Sequence, residues 1–337
     1  MDLETVLNWL FPIVYVLALL VVIGLAAWRT VLSETEYRHK AFSQMLIYYG
    51  LYLFWILIPY TLWQWWTDVR STPVTLLLLG FSVLMIYSRF IEPSRLVTRY
   101  QTIRLNPQQP LKQPLRVVLI ADLHVGLFSG QKRQLRKIVE RVNAAKADMV
   151  LVAGDWTYEP GPTLLQMLDP LRHLNGPVFS VPGNHDEELP GPPLQQELKL
   201  ALEALNIVPL EGHMVEFDQV RLLGTGDLWA GKADLHALRD LPQDKPWLVL
   251  AHNPDTVDHI PDGLPNRPLM LSGHTHGGQV DIPWLTAWAL RKESKYGFQV
   301  GLYDMVKAQV YVTAGTGMVA VPFRCGMPPT IDVLELN

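Results

Sequence analysis

The apolar positions of this chain fall into two regimes. Near the front, residues 7–28 (LNWLFPIVYVLALLVVIGLAAW) and 45–66 (MLIYYGLYLFWILIPYTLWQWW) each run for 22 positions without a charge. An α-helix rising about 1.5 Å per residue needs about 20 such residues to cross a bilayer core, so both runs predict membrane-spanning helices. A third uncharged stretch of 18 residues, between Arg70 and Arg89 with Pro73 near its start, is shorter and predicts a third span. The leading MDLET carries Asp2 and Glu4 where a cleaved signal would be basic, which favours a retained anchor.

Basic residues orient the spans. Arg29, Arg38 and Lys40 lie between the first two, whereas the second loop offers only Arg70. Arg89, Arg95, Arg99, Arg104, Lys112 and Arg116 follow the third. Because such residues accumulate in cytoplasmic loops, the N-terminus is expected outside. Everything after about residue 90 is expected in the cytoplasm, as in a multi-pass inner-membrane protein. Residues 92–115, around NPQQPLKQP, read as a linker. The expected division is therefore an anchor over 1–91, a linker over 92–115 and a second domain over 116–337.

In that second domain the apolar runs become short: 116–122, 148–155, 177–186, 247–252, 269–276 and 309–317. They are rich in Val and Leu and bounded by Gly, Pro or Asn, the texture of strands buried on both faces. Between them, 130–145 and 193–206 place apolar residues at helical spacing. Residues 215–227 read as a hairpin turning at Asp218–Gln219. The alternation predicts a layered α/β or α+β domain with helices covering the sheets.

Composition sharpens this picture in three ways. A hydrophobic fraction of 49% with only 18% charged residues is high for a soluble enzyme, and the front of the chain accounts for it. A net charge of −4 and a pI near 6.2 do not suit a nucleic-acid binder held by a broad basic surface. A single cysteine, Cys325, excludes an intrachain disulfide and any thiolate cluster, so a metal here must be held by histidines and carboxylates.

Such residues stand where the strands end. The first five runs finish at Asp122 with His124, at Asp155, at Asn184 with His185, at His252, and at His274 with His276. Side chains at the carboxyl ends of neighbouring strands emerge on one rim, where α/β ligand sites form. Five of the ten histidines fall in these blocks, and His39, His173, His213, His236 and His259 read as surface or core. In this order DLH, GD, GNHD, AH and GHTH resemble the calcineurin-like metallophosphoesterases over roughly 116–335. The strings AHNPD and LSGHTHGGQ, with a membrane-spanning front, are similar to a bacterial branch of membrane-associated phosphoesterases. Some members of that branch are UDP-2,3-diacylglucosamine pyrophosphatases acting on a lipid A precursor.

The resemblance implies two packed β-sheets flanked by helices, with metals at one rim. It implies that Asp122, His124 and His276 hold one ion, that Asn184, His252 and His274 hold a second, and that Asp155 bridges them. Oxygen and nitrogen donors without thiolate suit Mn²⁺, Fe or Zn²⁺ better than Mg²⁺ or Ca²⁺; the donors do not choose among the first three, and Mn²⁺ is the leading expectation. His185 is expected near the substrate phosphate, protonating the leaving oxygen or stabilising phosphoryl charge. Asp186 either orients that imidazole or caps the element after it. Gly154, Gly183 and Gly273 are expected to let the backbone turn behind the ligands. Trp156 is bulkier than the residue common after the Gly-Asp block, and Thr330 stands where an acidic residue often follows two prolines. Arg324 reads as a structural ion pair or a phosphate contact.

Anchoring favours a lipid-borne substrate by confining the site to the layer beside the bilayer. The leading substrate is UDP-2,3-diacylglucosamine. The alternatives are a broad-specificity phosphodiesterase or phosphatase and a non-catalytic membrane scaffold. Two segments are candidates to reach the bilayer: Leu127 and Phe128 beyond His124, and 281–297, which combines Trp284, Leu285, Trp288 and Leu290 with Arg291, Lys292 and Lys295.

Overall fold

The computed structural model describes residues 3–32, 38–105, 110–160, 163–187 and 194–337. Contacts divide the chain into a helical unit, Met1–Pro93 with Ala320–Cys325, and a larger unit, Ser94–Val319 with Gly326–Asn337. In the helical unit, α1 (Leu3–Leu32) packs along α2 (Arg38–Gly50), which continues through a 3₁₀ turn into α3 (Phe54–Trp66). α3 packs along α4 (Thr72–Ile86), where Pro73 sits in the first turn without breaking a hydrogen bond. Three helical stretches, Thr5–Leu32, Arg38–Trp66 and Thr72–Ser94, are long and apolar enough to cross a membrane. Leu17, Leu20, Leu76 and Leu77 point outward from them, as lipid-facing residues do. Arg324 is fully buried in this unit, and its backbone N–H donates to the Ser88 carbonyl at 3.1 Å.

The larger unit begins with β1 (Val97–Ile103), β2 (Leu115–Ile120) and β3 (Val125–Gly126), followed by α5 (Lys132–Ala144), β4 (Met149–Ala153) and β5 (Thr157–Tyr158). Next come α6 (Leu164–Leu168), β6 (Val178–Val181), α7 (Gln195–Ala204) and β7 (Ile207–Pro209). β8 (Met214–Glu216) and β9 (Arg221–Gly224) then pair as an antiparallel hairpin, with Phe217 bonded to Val220 around Asp218–Gln219. The remainder is α8 (Ala237–Asp240), β10 (Trp247–Leu250), β11 (Leu269–Ser272), α9 (Pro283–Glu293), β12 (Gly301–Asp304), β13 (Gln309–Val312) and β14 (Thr330–Leu336).

Two six-stranded sheets result, ordered β1-β14-β2-β4-β6-β7 and β12-β13-β11-β10-β9-β8, with β3 and β5 as a small pair. Period-two alternation builds the layers. Val117, Leu119 and Leu151 face Leu222, Leu248 and Leu271 between the sheets. Val118, Ile120 and Val152 face outward under α5, α6 and α7. Val249, Met270 and Val310 do the same on the far side. Helix α5 buries Leu135, Ile138, Val139 and Val142, one stripe at helical spacing, and full burial of each contributes about 1.5–3 kcal/mol.

Part of the expected linker is not a linker. Val97–Ile103 pairs in parallel register with β14, from Val97 beside Thr330 to Ile103 beside Leu336. The prolines downstream dominate that stretch in the sequence, while VTRYQTI alternates too weakly to announce an edge strand. Residues 106–109 of the expected linker, and 188–193 just after Asp186, lie outside the described residues.

Candidate metal centre

In one sheet β2, β4 and β6 run parallel to one another, in the other β10 and β11 do, and these strands end at one rim. Two or three residues later come Asp122, Asp155, Asn184, His252 and His274. All seven side chains marked in the sequence meet there. His124 Nε2 lies 2.9 Å from His276 Nε2 and 3.5 Å from Asp155 Oδ2, and His276 Nε2 is 3.8 Å from Asp122 Oδ1. On the other side, Asn184 Oδ1, His252 Nε2 and His274 Nδ1 stand 3.1–3.2 Å apart in a triangle. His252 Nε2 is 3.3 Å from Asp155 Oδ2, so that one oxygen faces both clusters.

These donors fit cations. Two groups, Asp122–His124–His276 and Asp122–Asp155–His252, each bring their ligand atoms within 4.8 Å of one another. Ligand atoms about 2.1 Å from one ion stand about 3.0–3.4 Å apart at octahedral or tetrahedral angles, and the donor spacings of 2.9–3.8 Å here bracket that range. Imidazole orientation agrees. His252 Nδ1–H donates to the Ala153 carbonyl at 2.7 Å, and His124 Nδ1 faces the Thr157 carbonyl at 3.3 Å, so each turns Nε2 inward. His274 turns Nδ1 inward.

The electrostatics of the cluster show how strongly its charges interact. Burial pulls the His252 pKa down, but Asp155, Asp122 and Asp227 overcome it and hold the imidazole at about 10. Burial lowers His124 to about 3, and burial with the His252 charge lowers His274 to about 3. Asp155 resists a burial penalty and lies well below the usual carboxylate range because His252, His185 and His124 surround it.

The backbone is strained where the donors sit. Asp122, His124, Asp155, His274 and His276 all adopt positive φ, between 46° and 72°. Residues with side chains rarely do so, and such strain concentrates at functional sites. The expected role of the glycines needs correcting on this point. Of the three behind the ligands only Gly154 has positive φ. Gly183 and Gly273 provide room, because a Cβ on either would run into the Asp155 or the Asp122 carboxylate.

His185 sits at the edge, 9% exposed, with its ring 5.2 Å from His124 and 5.0 Å from Tyr158. Its backbone N–H donates to Asp155 Oδ1 at 3.0 Å. Asp186 is fully buried and accepts from the backbone N–H groups of Trp156, Thr157 and Gly183 and from the Thr157 hydroxyl, at 3.0–3.1 Å. It ties the turn carrying Asp155 to the turn carrying Asn184. Burial and the Asp155 charge raise its pKa to about 7. Trp156 packs in the core with its indole N–H on Ser180 Oγ at 2.7 Å. Thr330 is buried between Thr313 and Asp332.

Two neighbours escaped the sequence reading. Asp227, 1% exposed, follows β9 and caps the N–H groups of Trp229 and Ala230. The Trp229 ring stands edge-on to His274, centroids 4.6 Å apart, and remains 45% exposed. The signal was present in TGDLW, a run ending in Gly-Asp like the one at Asp155, but the hairpin reading absorbed it.

Comparison with known proteins agrees with this arrangement. Residues 115–278 match the sequence profile of the calcineurin-like phosphoesterases. An uncharacterized metallophosphoesterase of Helicobacter pylori is 32% identical over 235 residues, which are 67% of this chain and 60% of that protein. The chain thus spans 60% of the length of this relative. The phosphodiesterase YaeI of Escherichia coli is 30% identical over 66% of this chain and 82% of its own. A transmembrane protein with metallophosphoesterase domain from Danio rerio is 31% identical over 66% of this chain and 53% of its own.

Proposed function

This chain belongs to the calcineurin-like phosphoesterase family, and from that premise we propose that it is a membrane-anchored, two-metal hydrolase of a phosphoester or pyrophosphate carried at the bilayer surface. The observation that carries the reading is the convergence of seven donor side chains, with one Asp155 oxygen facing a histidine of each cluster. Asp122, His124 and His276 would hold one divalent ion, Asn184, His252 and His274 the other, and Asp155 both. Bound ions would supply the nucleophile and the positive charge that attack on an anionic phosphoester requires.

The chain's own groups do the rest. His185, partly open to solvent beside the cluster, holds a proton for the departing oxygen. Asp186 keeps the Asp155 and Asn184 turns in register through its hydrogen bonds. Trp229 forms a wall of the entrance beside His274. Mixed oxygen and nitrogen donors without thiolate suit Mn²⁺, Fe or Zn²⁺ better than Mg²⁺ or Ca²⁺, and Mn²⁺ is the leading ion. The three apolar helices and the loop charges support an inner-membrane protein whose metal centre faces the cytoplasm.

A lipid-linked nucleotide such as UDP-2,3-diacylglucosamine is the leading substrate, on the ground that a membrane anchor raises the local concentration of such a compound. A second reading, a broad-specificity phosphodiesterase, draws on the similarity to the phosphodiesterase YaeI. A scaffold without catalysis is disfavoured, because it has no need of the full donor set. The test assays the purified full chain with Mn²⁺ on UDP-2,3-diacylglucosamine and on simple aryl phosphodiesters. Cleavage of the lipid in preference to the aryl esters is expected. Turnover of only the aryl esters would remove the lipid reading, and equal activity in wild type and Asp155→Ala would remove the site.

A further inference from the structure

Two features of the larger unit are unexplained by phosphoester chemistry. The first is α9. It buries only Thr286 and Leu290, while Ile282, Trp284, Leu285 and Trp288 are exposed, the two tryptophans at 76% and 57%. Lys292 lies 3.8 Å from the Trp288 ring centroid, and Arg291 is exposed beside it. Asp281 and Glu293 are the acidic groups at its two ends, and Lys295 beyond it pairs with Asp258. The helix is therefore apolar at its start and basic at its end.

The second feature is α5. Its exposed face carries Lys132, Arg133, Arg136, Lys137 and Arg141 against one acid, Glu140. None of the five is in an ion pair among the described residues, although the chain as a whole has a net charge of −4. Solvated basic residues are ordinary on a helix, but five unpaired ones on four turns make a concentrated positive field.

Hydrogen bonds put the starts of both helices at the metal-bearing rim. At the start of α5, Gln134 Nε2 donates to the Thr316 carbonyl at 3.0 Å. Just before α9, Gln279 exchanges two 3.0 Å hydrogen bonds with the backbone of Val319. Between those points, Gly317 N–H bonds to the Asp122 carbonyl at 2.6 Å. The first turn of α9 also rests on the His276 turn, with Thr286 Oγ1 donating to the Val280 carbonyl at 2.8 Å.

We propose that this rim docks on an anionic lipid bilayer, with Ile282, Trp284, Leu285 and Trp288 in the headgroup layer and the basic face of α5 over the lipid phosphates. Trp favours that interface and helices of this mixed character lie within it. Lys and Arg are drawn to a negatively charged leaflet within a Debye length. A chain with three helices able to span a membrane keeps such a surface within reach. The other segment expected at the bilayer does not take part, because Leu127 and Phe128 are buried, at 8% and 2% exposure. Docking would hold the metal centre against the headgroup layer, a consequence that rests on the proposed function, whereas the docking itself does not.

The experiment uses the full chain in nanodiscs, one chain per disc, with Cys325→Ser and a nitroxide on Trp288→Cys. A second nitroxide position, Asp218→Cys in the exposed hairpin turn, serves as the water-facing control. In discs containing phosphatidylglycerol, the label at position 288 is expected to be shielded from a water-soluble relaxing agent and accessible to oxygen. In phosphatidylcholine alone, shielding is expected to weaken. Reversing Lys132, Arg133, Arg136 and Lys137 to Glu should abolish the shielding and lower hydrolysis of a vesicle-borne phosphoester at least about tenfold, leaving a soluble aryl phosphodiester unaffected. Equal water access in both lipids would overturn the proposal. So would shielding that appears only with two chains per disc, which would assign the face to a second copy. If no phosphoester is cleaved at all, the proposed function fails while the label depth still decides the docking.

Discussion

Gly315→Ala separates the metal centre from the general stability of the fold. Gly315 has φ of +67°, and a Cβ there would lie 2.5 Å from Asp122 Oδ2 and 2.6 Å from Asp122 Cβ. Carbon atoms in good contact stand about 3.5–4.0 Å apart, so Asp122 or the Gly315 strand end has to move by about 1 Å. Asp122 is fully buried, and its free direction leads into the donor cluster. A displacement of about 1 Å at a reacting centre costs about 100-fold in rate. The matched control is Gly176→Ala, at φ of +80° with nothing nearer a Cβ than the Ala147 carbonyl at 3.9 Å. Both variants carry the left-handed backbone penalty, about 1–2 kcal/mol, and should lose a few degrees of Tm by differential scanning fluorimetry. Only Gly315→Ala should lose about 100-fold in kcat/KM on an aryl phosphodiester with Mn²⁺. Activity of the two variants within about threefold of each other would refute the reasoning.

Two further outcomes follow from other parts of the molecule. Trp229→Ala removes the exposed ring beside His274 and should raise KM about five- to tenfold with kcat within about threefold, in steady-state assays. A fall in kcat with KM unchanged would contradict its role as a wall. Asp332, buried with its carboxylate on the Tyr311 hydroxyl at 2.9 Å, has a pKa raised chiefly by burial. The folded state therefore holds its proton more tightly than the unfolded one, and wild-type stability contributed by this group declines from about pH 4 upward until the raised pKa is passed. Asp332→Asn keeps an acceptor for Tyr311 without a titrating proton, so its Tm relative to wild type should improve with rising pH across that window. A pH-independent difference would contradict the assignment.

Much of the architecture was legible because two signals coincided. In β2, β4, β6, β10 and β11 a short apolar run stops at a polar residue capable of binding metal, and both halves of that grammar reflect one cause, a buried parallel strand opening onto a rim. The same grammar at β9 was hidden because VEFDQVRLL also alternates as a hairpin, which it is. Asp227 and Trp229 were lost with it. Leu127 and Phe128 show the opposite failure. Apolar residues beside a site look alike in sequence whether they face lipid or core, and only their burial, with Phe128 beside the Tyr158 ring, distinguishes them. Nothing in the sequence announces the backbone strain, since Asp and His at positive φ run against local preference and are held there by surroundings formed from distant segments.

The most direct test counts metal. The full chain, purified after growth with Mn²⁺ and analysed by mass spectrometry of metals against protein concentration, should carry about two divalent ions per chain, and Asp155→Ala about one or fewer while remaining folded. An intact, folded wild-type chain that takes up no divalent ion, or holds one ion regardless of Asp155, would contradict a bridged pair.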